Sequence, residues 1–256
     1  MCFPPRFVLV LGACLLAALL SPASAEEDDR LSERARMVEE LRGRAGSLVP
    51  LVERALDEQD RISSAPVLEA MRSVPRHWFV PAALQREAYA NRPLPIGFGQ
   101  TISQPLIVAL MTEMLDPKPG QKILEIGTGS GYQAAILTKF TPEIHSIEIV
   151  EALHKQALPR LQKFGLGPDR VIHGDGYFGL EKAAPFDGII VTAAADHIPP
   201  PLLQQLRPGG RMIIPIGPVH AAQRLVSVTK DADGKVRSRA VHPVRFVPLT
   251  GGPRKP

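Results

Sequence analysis

The stretch Ile123-Leu124-Glu125-Ile126-Gly127-Thr128-Gly129-Ser130-Gly131 decides the fold of this chain. A short apolar run is followed by three glycines at alternate positions, and a helical pattern begins directly after them, which predicts a strand that turns into a helix. Glycine permits a positive φ and a close backbone approach to a ligand, and a helix N-terminus offers free N–H donors. Taken alone, such a turn is shared by several classes of nucleotide site.

The spacing of the glycines narrows the choice of ligand. Dinucleotide-binding folds favour G-x-G-x-x-G, but position 132 is Tyr, so the third glycine comes one residue early. Glu125, just before the turn, would repel a phosphate and suits a ligand that carries an ammonium or sulfonium cation. A nicotinamide-dependent dehydrogenase is therefore the weakest alternative.

Strand and helix patterns alternate on both sides of this turn. The predicted strands cover 122–126, 144–148, 171–173, 187–191 and 211–216, and the predicted helices 105–115, 131–140, 151–164 and 200–206. This alternation predicts an α/β fold with a doubly wound, mostly parallel sheet and helices on both faces. Two later β runs, 224–229 and 236–248, flank a turn signal at Asp231–Gly234 and predict an antiparallel pair at one edge.

Two further acidic residues end predicted strands. Glu148 follows Gly129 by 19 residues, where a carboxylate can accept both ribose hydroxyls of an adenosine ligand. Asp175, with Gly176, suits the adenine edge. Each has a plainer alternative, a solvated strand-end carboxylate for Glu148 and an ordinary Asp-Gly turn for Asp175. Together with the glycine turn they predict a crevice at the carboxyl ends of parallel strands.

The segment before the sheet has a different pattern. Short helical patterns between Leu31 and Leu84, including one at 48–56, are punctuated by prolines and predict a small helical region. A Pro/Gly-rich loop over 92–105 follows, which we expect no regular element to accommodate. An ordered loop of this length is usually functional.

The first 25 residues resemble an export signal. Arg6 precedes an apolar run of 14 residues, and Ala23-Ser24-Ala25 is a cleavage signal before four acidic residues. The run is too short for a stable membrane span. We expect cleavage after Ala25 and a periplasmic protein; the alternatives are a misassigned start codon, which would leave the protein cytoplasmic, and lipidation at Cys14. The predicted division is 1–25 signal, 26–104 helical region with substrate loop, and 105–256 ligand-binding core.

Composition excludes several kinds of chemistry. Both cysteines, Cys2 and Cys14, lie in the signal segment, so the remaining chain has no thiol nucleophile, disulfide or Cys-ligated metal. The histidines show no H-x-x-x-H spacing, and we expect no metal. With 30 Lys+Arg against 26 Asp+Glu, the net charge of +4 is weak for a nucleic-acid binder, and no nucleic-acid partner is expected.

These motifs resemble those of class I S-adenosylmethionine-dependent methyltransferases, and more narrowly of protein-L-isoaspartate O-methyltransferases. The general resemblance lies in Glu125 to Gly131, Glu148, Asp175-Gly176, Phe186-Asp-Gly-Ile-Ile-Val-Thr192 and Leu206-Arg-Pro-Gly-Gly210. The narrower one lies in Pro95-Ile-Gly-Phe-Gly-Gln-Thr-Ile-Ser-Gln-Pro105 and Val244-Arg-Phe-Val-Pro-Leu249. It runs from about Val67 to Leu249 and departs at Ala90-Asn91, where the family often has an acidic residue. The expected sheet is thus the Rossmann-like methyltransferase sheet.

The resemblance implies an activity and assigns site residues. It implies transfer of a methyl group from S-adenosylmethionine to the α-carboxylate of L-isoaspartyl residues in damaged proteins, by a monomeric enzyme. The implied site has Ser103 as the active-site serine, Thr101 and the Val247, Pro248 and Leu249 backbone as substrate contacts, and Glu125, Gly127, Thr128, Gly129, Ser130, Gly131, Glu148, Asp175 and Gly176 around the cofactor.

Alternatives remain open at this point. Ser103 can instead cap the helix that begins near Pro105. The chain as a whole can act on another methyl acceptor, or can be an exported binding protein that keeps the fold without activity.

Overall fold

The computed structural model describes residues 22–43, 62–218 and 221–253. Six α-helices lie in these ranges: α1 Pro22–Gly43, α2 Ala65–Ser73, α3 Pro105–Leu115, α4 Tyr132–Leu137, α5 Glu151–Gln162 and α6 Pro200–Gln205. Nine strands accompany them: β1 Leu94–Gly97, β2 Gln100–Ile102, β3 Ile123–Ile126, β4 Ile144–Glu148, β5 Val171–His173, β6 Phe186–Val191, β7 Leu206–Ile216, β8 Gln223–Lys230 and β9 Val236–Val244. The predicted helix at 48–56 and most of the predicted signal segment lie outside the described residues.

The central sheet has seven strands in the order β5-β4-β3-β6-β7-β8-β9. The strands from β5 to β7 are parallel, and β8 and β9 add an antiparallel edge. The chain leaves β3 toward β4 and later returns on its other side as β6, so the strand order reverses at β3. Open α/β sheets bind their ligands at such a reversal, beyond the carboxyl ends of the strands. The predicted fold class is confirmed, including the antiparallel pair.

Each face of the sheet is covered by its own apolar cluster. Alternate residues of a strand point to opposite faces, so Ile123 joins the cluster under α1 to α5, and Leu124 joins the cluster under α6. Both side chains are fully buried. The sheet is thus packed between helices on both faces, which fixes the position of the end of β3, where the glycine turn begins.

The N-terminal helices pack on the first of these faces. Met37, Val38 and Leu41 of α1 are buried in the same cluster as α2 and α3. Arg34 is also buried, because its guanidinium donates to the Tyr89 hydroxyl and to the Arg72 carbonyl. The predicted helical region is thus part of one core with the sheet.

The prediction that no regular element fits in the Pro/Gly-rich segment is wrong. β1 and β2 form an antiparallel hairpin there, with Leu94 opposite Ile102. The turn between them is made by three consecutive residues with positive φ, Gly97 at 94°, Phe98 at 54° and Gly99 at 71°. The glycines adopt this conformation without a Cβ penalty, which explains how a Gly-rich segment can make a tight hairpin.

The last predicted strand is shorter than expected. β9 ends at Val244 rather than continuing to residue 248. The Ala194 N–H donates to the Val247 carbonyl at 2.8 Å, and the Leu249 N–H donates to the Ala194 carbonyl at 2.7 Å. The chain therefore leaves the sheet edge and crosses to the loop after β6, which brings it over the carboxyl ends of the strands.

Candidate active site

An open cleft of about 760 Å³ lies at the carboxyl ends of β3, β4 and β6. Most of its lining comes from five segments: residues 100–103 of the hairpin, 126–130 of the glycine turn, 147–150 at the end of β4, 192–193 after β6, and 247–250 near the C-terminus. Val108, Tyr132, Gln133 and Gly176 complete the lining. The glycine turn and the hairpin therefore line the same cleft, although helix α3 separates them in the chain.

The glycine turn has the backbone that the sequence predicts. Gly127, Gly129 and Gly131 have φ of 90°, 53° and 91°, all in the region that side chains with a Cβ rarely adopt. A Cβ on Gly127 would lie 2.6 Å from the Thr192 hydroxyl, which donates to the Gly127 carbonyl. A Cβ on Gly129 would lie 3.6 Å from Ile96 and 4.0 Å from the Gly127 carbonyl, which are ordinary contact distances. Gly127 is thus required by the protein's own packing, whereas Gly129 leaves open room above the turn.

Glu148 is buried at the end of β4 and is held by backbone donors. One carboxylate oxygen accepts from the Gly129 N–H at 2.7 Å, and the other accepts from the Val150 N–H at 2.8 Å. A carboxylate oxygen has two lone-pair directions, so each oxygen keeps an acceptor position. These bonds fix the carboxylate against the glycine turn, and the predicted ribose contact of Glu148 stays a prediction.

Glu125 lies beneath the cleft and does not line it. Its side chain is fully buried, and one oxygen accepts from the Ser146 hydroxyl. Burial, together with a smaller effect of the neighbouring Glu148, raises the pKa of Glu125 to about 8, although hydrogen bonds from Ser146 and the Ala134 backbone oppose this shift. The Thr128 and Ser146 hydroxyls are 2.6 Å apart. Glu125 is thus linked to the glycine turn through two hydroxyls, and its predicted attraction for a cationic ligand stays a prediction.

The Asp175 carboxylate accepts hydrogen bonds from two backbone N–H groups. It accepts from the Tyr177 N–H at 2.9 Å and from the Gly252 N–H at 2.7 Å. Gly176 lines the cleft, and a Cβ there would lie 2.4 Å from Ile126. The predicted adenine contact of Asp175 is not tested by this geometry, which shows instead that Asp175 ties the C-terminal segment to the end of β5.

Ser103 is held by its backbone, and its hydroxyl is left for a ligand. The fully buried Arg76 donates to the Ser103 carbonyl at 2.7 Å and to the Ala88 carbonyl at 2.8 Å. Helix α3 begins after Gln104, and neither the Gln104 nor the Ser103 side chain makes a capping hydrogen bond to it. Within the part of the chain that the structure describes, the Ser103 hydroxyl has no hydrogen-bond partner, so the alternative of Ser103 as a helix cap is not what the geometry shows.

The hairpin is anchored at the position where the sequence departs from the family pattern. The Asn91 side chain accepts from the Leu106 N–H at 3.0 Å, in the first turn of α3. It therefore supplies one of the acceptors that a helix N-terminus lacks. An amide oxygen at position 91 holds the loop to α3 in this chain.

The other predicted substrate contacts, Thr101 and residues 247–249, lie on two different segments that line the cleft. Thr101 lies on β2 with its side chain exposed, and it lines the cleft. Val247 and Leu249 already pair with Ala194, whereas neighbouring residues of an extended strand point to the opposite side. The Pro248 carbonyl therefore faces away from Ala194, and the predicted substrate contact of this segment stays a prediction.

Arg76 is the residue that sequence reasoning missed. It lies 27 residues before Ser103, and no motif links the two positions. A signal was present, since Arg76 is a cation in the apolar run 74–81, and a buried cation requires partners. Burial lowers the pKa of Arg76 to about 10, which leaves it charged at neutral pH. Its contact with the Tyr132 ring, 4.9 Å away, adds to its support.

The cleft and the reversed strand order define a Rossmann-like S-adenosylmethionine-dependent methyltransferase. The family model described as "Protein-L-isoaspartate(D-aspartate) O-methyltransferase (PCMT)" matches residues 51–254. The chain belongs to this family.

Relatives and solved structures agree with that membership. The chain is 53% identical to protein-L-isoaspartate O-methyltransferase 2 of Syntrophobacter fumaroxidans, over 94% of this chain and 97% of the relative. It is 49% identical to protein-L-isoaspartate O-methyltransferase 1 of Nitrosospira multiformis, over 96% and 98%.

Among solved structures, a protein-L-isoaspartate O-methyltransferase matches with a TM-score of 0.70 and 25% identity, over 85% of this chain and 66% of that one. A Plasmodium falciparum protein described as a putative member, in complex with S-adenosyl-L-homocysteine, shares the fold with a TM-score of 0.67 and 24% identity, over 85% and 98%.

Proposed function

We propose that this protein methylates the free α-carboxylate of L-isoaspartyl residues in damaged proteins, with S-adenosylmethionine as the methyl donor. The methyl ester then collapses to a succinimide, whose hydrolysis returns some normal aspartate. One observation carries the assignment of the acceptor site: the Ser103 hydroxyl lines the cleft unpaired among the described residues, while Arg76 fixes its backbone.

The glycine turn and Glu148 fit the proposed methyl donor. The positive-φ glycines bring the backbone close to the cleft, and the Glu148 carboxylate keeps acceptor positions beside the turn. Residues 127–131 would hold the methionine end, Glu148 the ribose, and the residues around Gly176 the adenine. The described residues contain no group of His, Cys, Asp or Glu placed to hold a metal ion.

The chemistry requires positioning more than acid or base catalysis. When bound, S-adenosylmethionine supplies a methyl group on a positively charged sulfur, which is a good leaving group. A carboxylate is already an anionic nucleophile, so the protein's task is to align its oxygen with that methyl group. Ser103 can donate a hydrogen bond to the second carboxylate oxygen, and the Pro248 carbonyl can accept from the peptide backbone.

The test uses two peptides that are identical except for isoaspartate or aspartate at one position. We expect base-labile methyl ester on the isoaspartyl peptide alone. Ser103→Ala should lower kcat by about 10- to 100-fold, while the affinity for S-adenosyl-L-homocysteine stays within about twofold. Methylation of neither peptide, with cofactor bound, would reassign the enzyme to another methyl acceptor; no cofactor binding would favour the binding protein without activity.

Export is a second proposal, and it rests on the sequence signal at residues 1–25. The described side-chain contacts of α1 begin at Arg30, which donates to the Gln85 carbonyl, so cleavage after Ala25 leaves them all in place. In the described ranges, no helix has both the length and the apolar character to cross a membrane. Mass spectrometry of the N-terminus of the protein from periplasmic and cytoplasmic fractions decides the matter. An intact Met1 in the cytoplasm would contradict export. A lipidated N-terminal Cys14 would contradict cleavage after Ala25 and show a lipoprotein instead.

The protein is also proposed to act as a monomer, as the resemblance implies. Light scattering after size exclusion should give a mass close to that of one chain at micromolar concentration, and a mass of two chains would contradict this.

A further inference from the structure

A second concave surface lies on the sheet, lined by residues of α3, β7, β8 and β9. It is an open groove between the end of α3 and the edge strand β9. We name it the arginine groove, after Arg211, Arg237 and Arg239, and its floor carries the hydroxyl groups of Ser227 and Thr229. None of these residues belongs to the cleft described above.

The sheet register places the cations of the groove close together. Arg211 pairs with Thr229, and Thr229 pairs with Arg237, so the three lie in one row across β7, β8 and β9. Strands are about 4.8 Å apart, which puts the Cα atoms of Arg211 and Arg237 roughly 10 Å apart. Arg239 lies two residues further along β9, on the same face. Like charges at this spacing repel each other unless an anion lies between them.

Few groups in the described chain neutralise these cations. Arg211 donates to the Met114 carbonyl, and Arg237 lies 4.0 Å from Asp231, at the limit of an ion pair. No ion pair of Arg239 is found within the described ranges. No Asp or Glu follows Asp233 in the sequence. The groove is therefore a positive surface whose complement is an acidic ligand.

Protection of the sheet edge explains only part of this arrangement. Charged residues on an edge strand discourage the pairing of sheets between molecules, which gives a reason for Arg237 and Arg239. It gives no reason for Arg211, which lies on β7, two strands inside the edge. Arg211 is held by its bond to the Met114 carbonyl at the end of α3, and from there it adds a third cation to the row above the two hydroxyl groups. This arrangement fits an acidic ligand that enters the groove.

The strand β9 connects the groove with the cleft. It begins in the groove at Val236, ends at Val244, and is followed by Val247 to Leu249 at the cleft. Eight residues separate Arg239 from Val247, so the two sites are at most roughly 26 Å apart along an extended chain. An edge strand also offers backbone donors and acceptors to an extended polypeptide. This continuity favours a polypeptide over other acidic ligands.

We propose that the arginine groove binds an acidic, extended segment of the protein substrate, about eight residues away from the isoaspartyl residue in the cleft. This inference rests on the proposed function. It names the substrate class more narrowly: damaged proteins with a cluster of Asp or Glu at that separation are preferred.

The experiment uses isoaspartyl peptides with a Gly/Ser spacer of about eight residues and a block of four Glu or four Gln, placed on either side of the isoaspartate. At low salt we expect kcat/KM to be about three- to tenfold higher with the Glu block in one of the two directions, as two or three exposed ion pairs would give. The preference should shrink at 0.5 M salt, because that concentration screens exposed charges.

The variant Arg237→Glu/Arg239→Glu should lose this preference. Arg36→Glu/Lys182→Glu is the matched control, since it makes the same charge change at two exposed positions outside the groove, and it should keep the preference. A short isoaspartyl peptide without a block reports on the cleft alone. Methylation of this short peptide by the wild-type protein separates the two proposals. If the short peptide is not methylated, the proposed function itself is refuted.

Three results would overturn the groove proposal while the short peptide is still methylated. The first is equal kcat/KM for Glu and Gln blocks in both directions. The second is a preference that persists in Arg237→Glu/Arg239→Glu. The third is loss of binding to phosphatidylglycerol vesicles in that variant with unchanged peptide kinetics, which would assign the groove to a membrane surface.

Discussion

At the scale of single residues, Gly127 and Gly129 perform different tasks within one turn. We predict that Gly129→Ala folds with a loss of about 1 to 2 kcal/mol from its positive φ but no longer binds S-adenosyl-L-homocysteine, because the added methyl group occupies the room above the turn. Gly127→Ala should instead lose stability more severely, since its Cβ would clash with Thr192. Calorimetric titration and thermal unfolding of both variants separate the effects; equal Tm losses would contradict the distinction.

Glu125 gives a second prediction at this scale, through pH. Its pKa is raised to about 8 in the folded protein, above the ordinary value of 4.5, so the native state holds a proton that the unfolded state releases. The free energy of unfolding should therefore fall as pH rises from about 5 to 8, by on the order of a few kcal/mol. Glu125→Gln should flatten this dependence. Denaturant unfolding at several pH values measures it, and an unchanged slope in the variant would refute the assignment.

At the scale of elements, Arg76 connects the short 3₁₀ helix Arg76–Phe79 with the loop that carries Ser103. Arg76→Met should cost several kcal/mol, because the buried Ala88 carbonyl and the partly buried Ser103 carbonyl lose their donor. In the protein that still folds, kcat should fall while the affinity for S-adenosyl-L-homocysteine stays nearly constant. Arg76→Lys should restore part of kcat. A purely structural role would predict lower stability with kcat per folded molecule unchanged.

The contrast between the sheet and the hairpin shows what sequence patterns can predict. The strands 144–148 and 171–173 have the predicted bounds, because apolar periodicity is local information. The hairpin of β1 and β2 was missed because its turn needs a positive φ at Phe98, a residue type that gives no such signal. The Arg76 contact with Ser103 depends on packing between distant segments. In the cleft, the glycine turn was predicted, but the burial of Glu125 beneath it was not.

At the scale of the whole molecule, α1 contributes to the core of the catalytic domain. Loss of residues 1–25 should leave Tm within about 1 °C, since the described contacts start at Arg30. Removal through Gly43 exposes Met37, Val38 and Leu41 and their partners, and should cost at least about 3 to 5 kcal/mol. Thermal unfolding of the two shortened chains beside the full chain tests this. Similar Tm values for all three would show that α1 is dispensable.

The bond between the Gly252 amide and Asp175 makes the end of the chain a reporter of the cleft. Asp175 precedes Gly176, which lines the cleft, so a ligand that settles there also steadies the carboxylate that holds Gly252. The hydrogen-exchange rate of that single amide should then record occupancy, without any label on ligand or substrate. A fusion attached at the C-terminus would loosen this contact first, so the exchange rate of this amide also shows whether such a fusion disturbs the cleft.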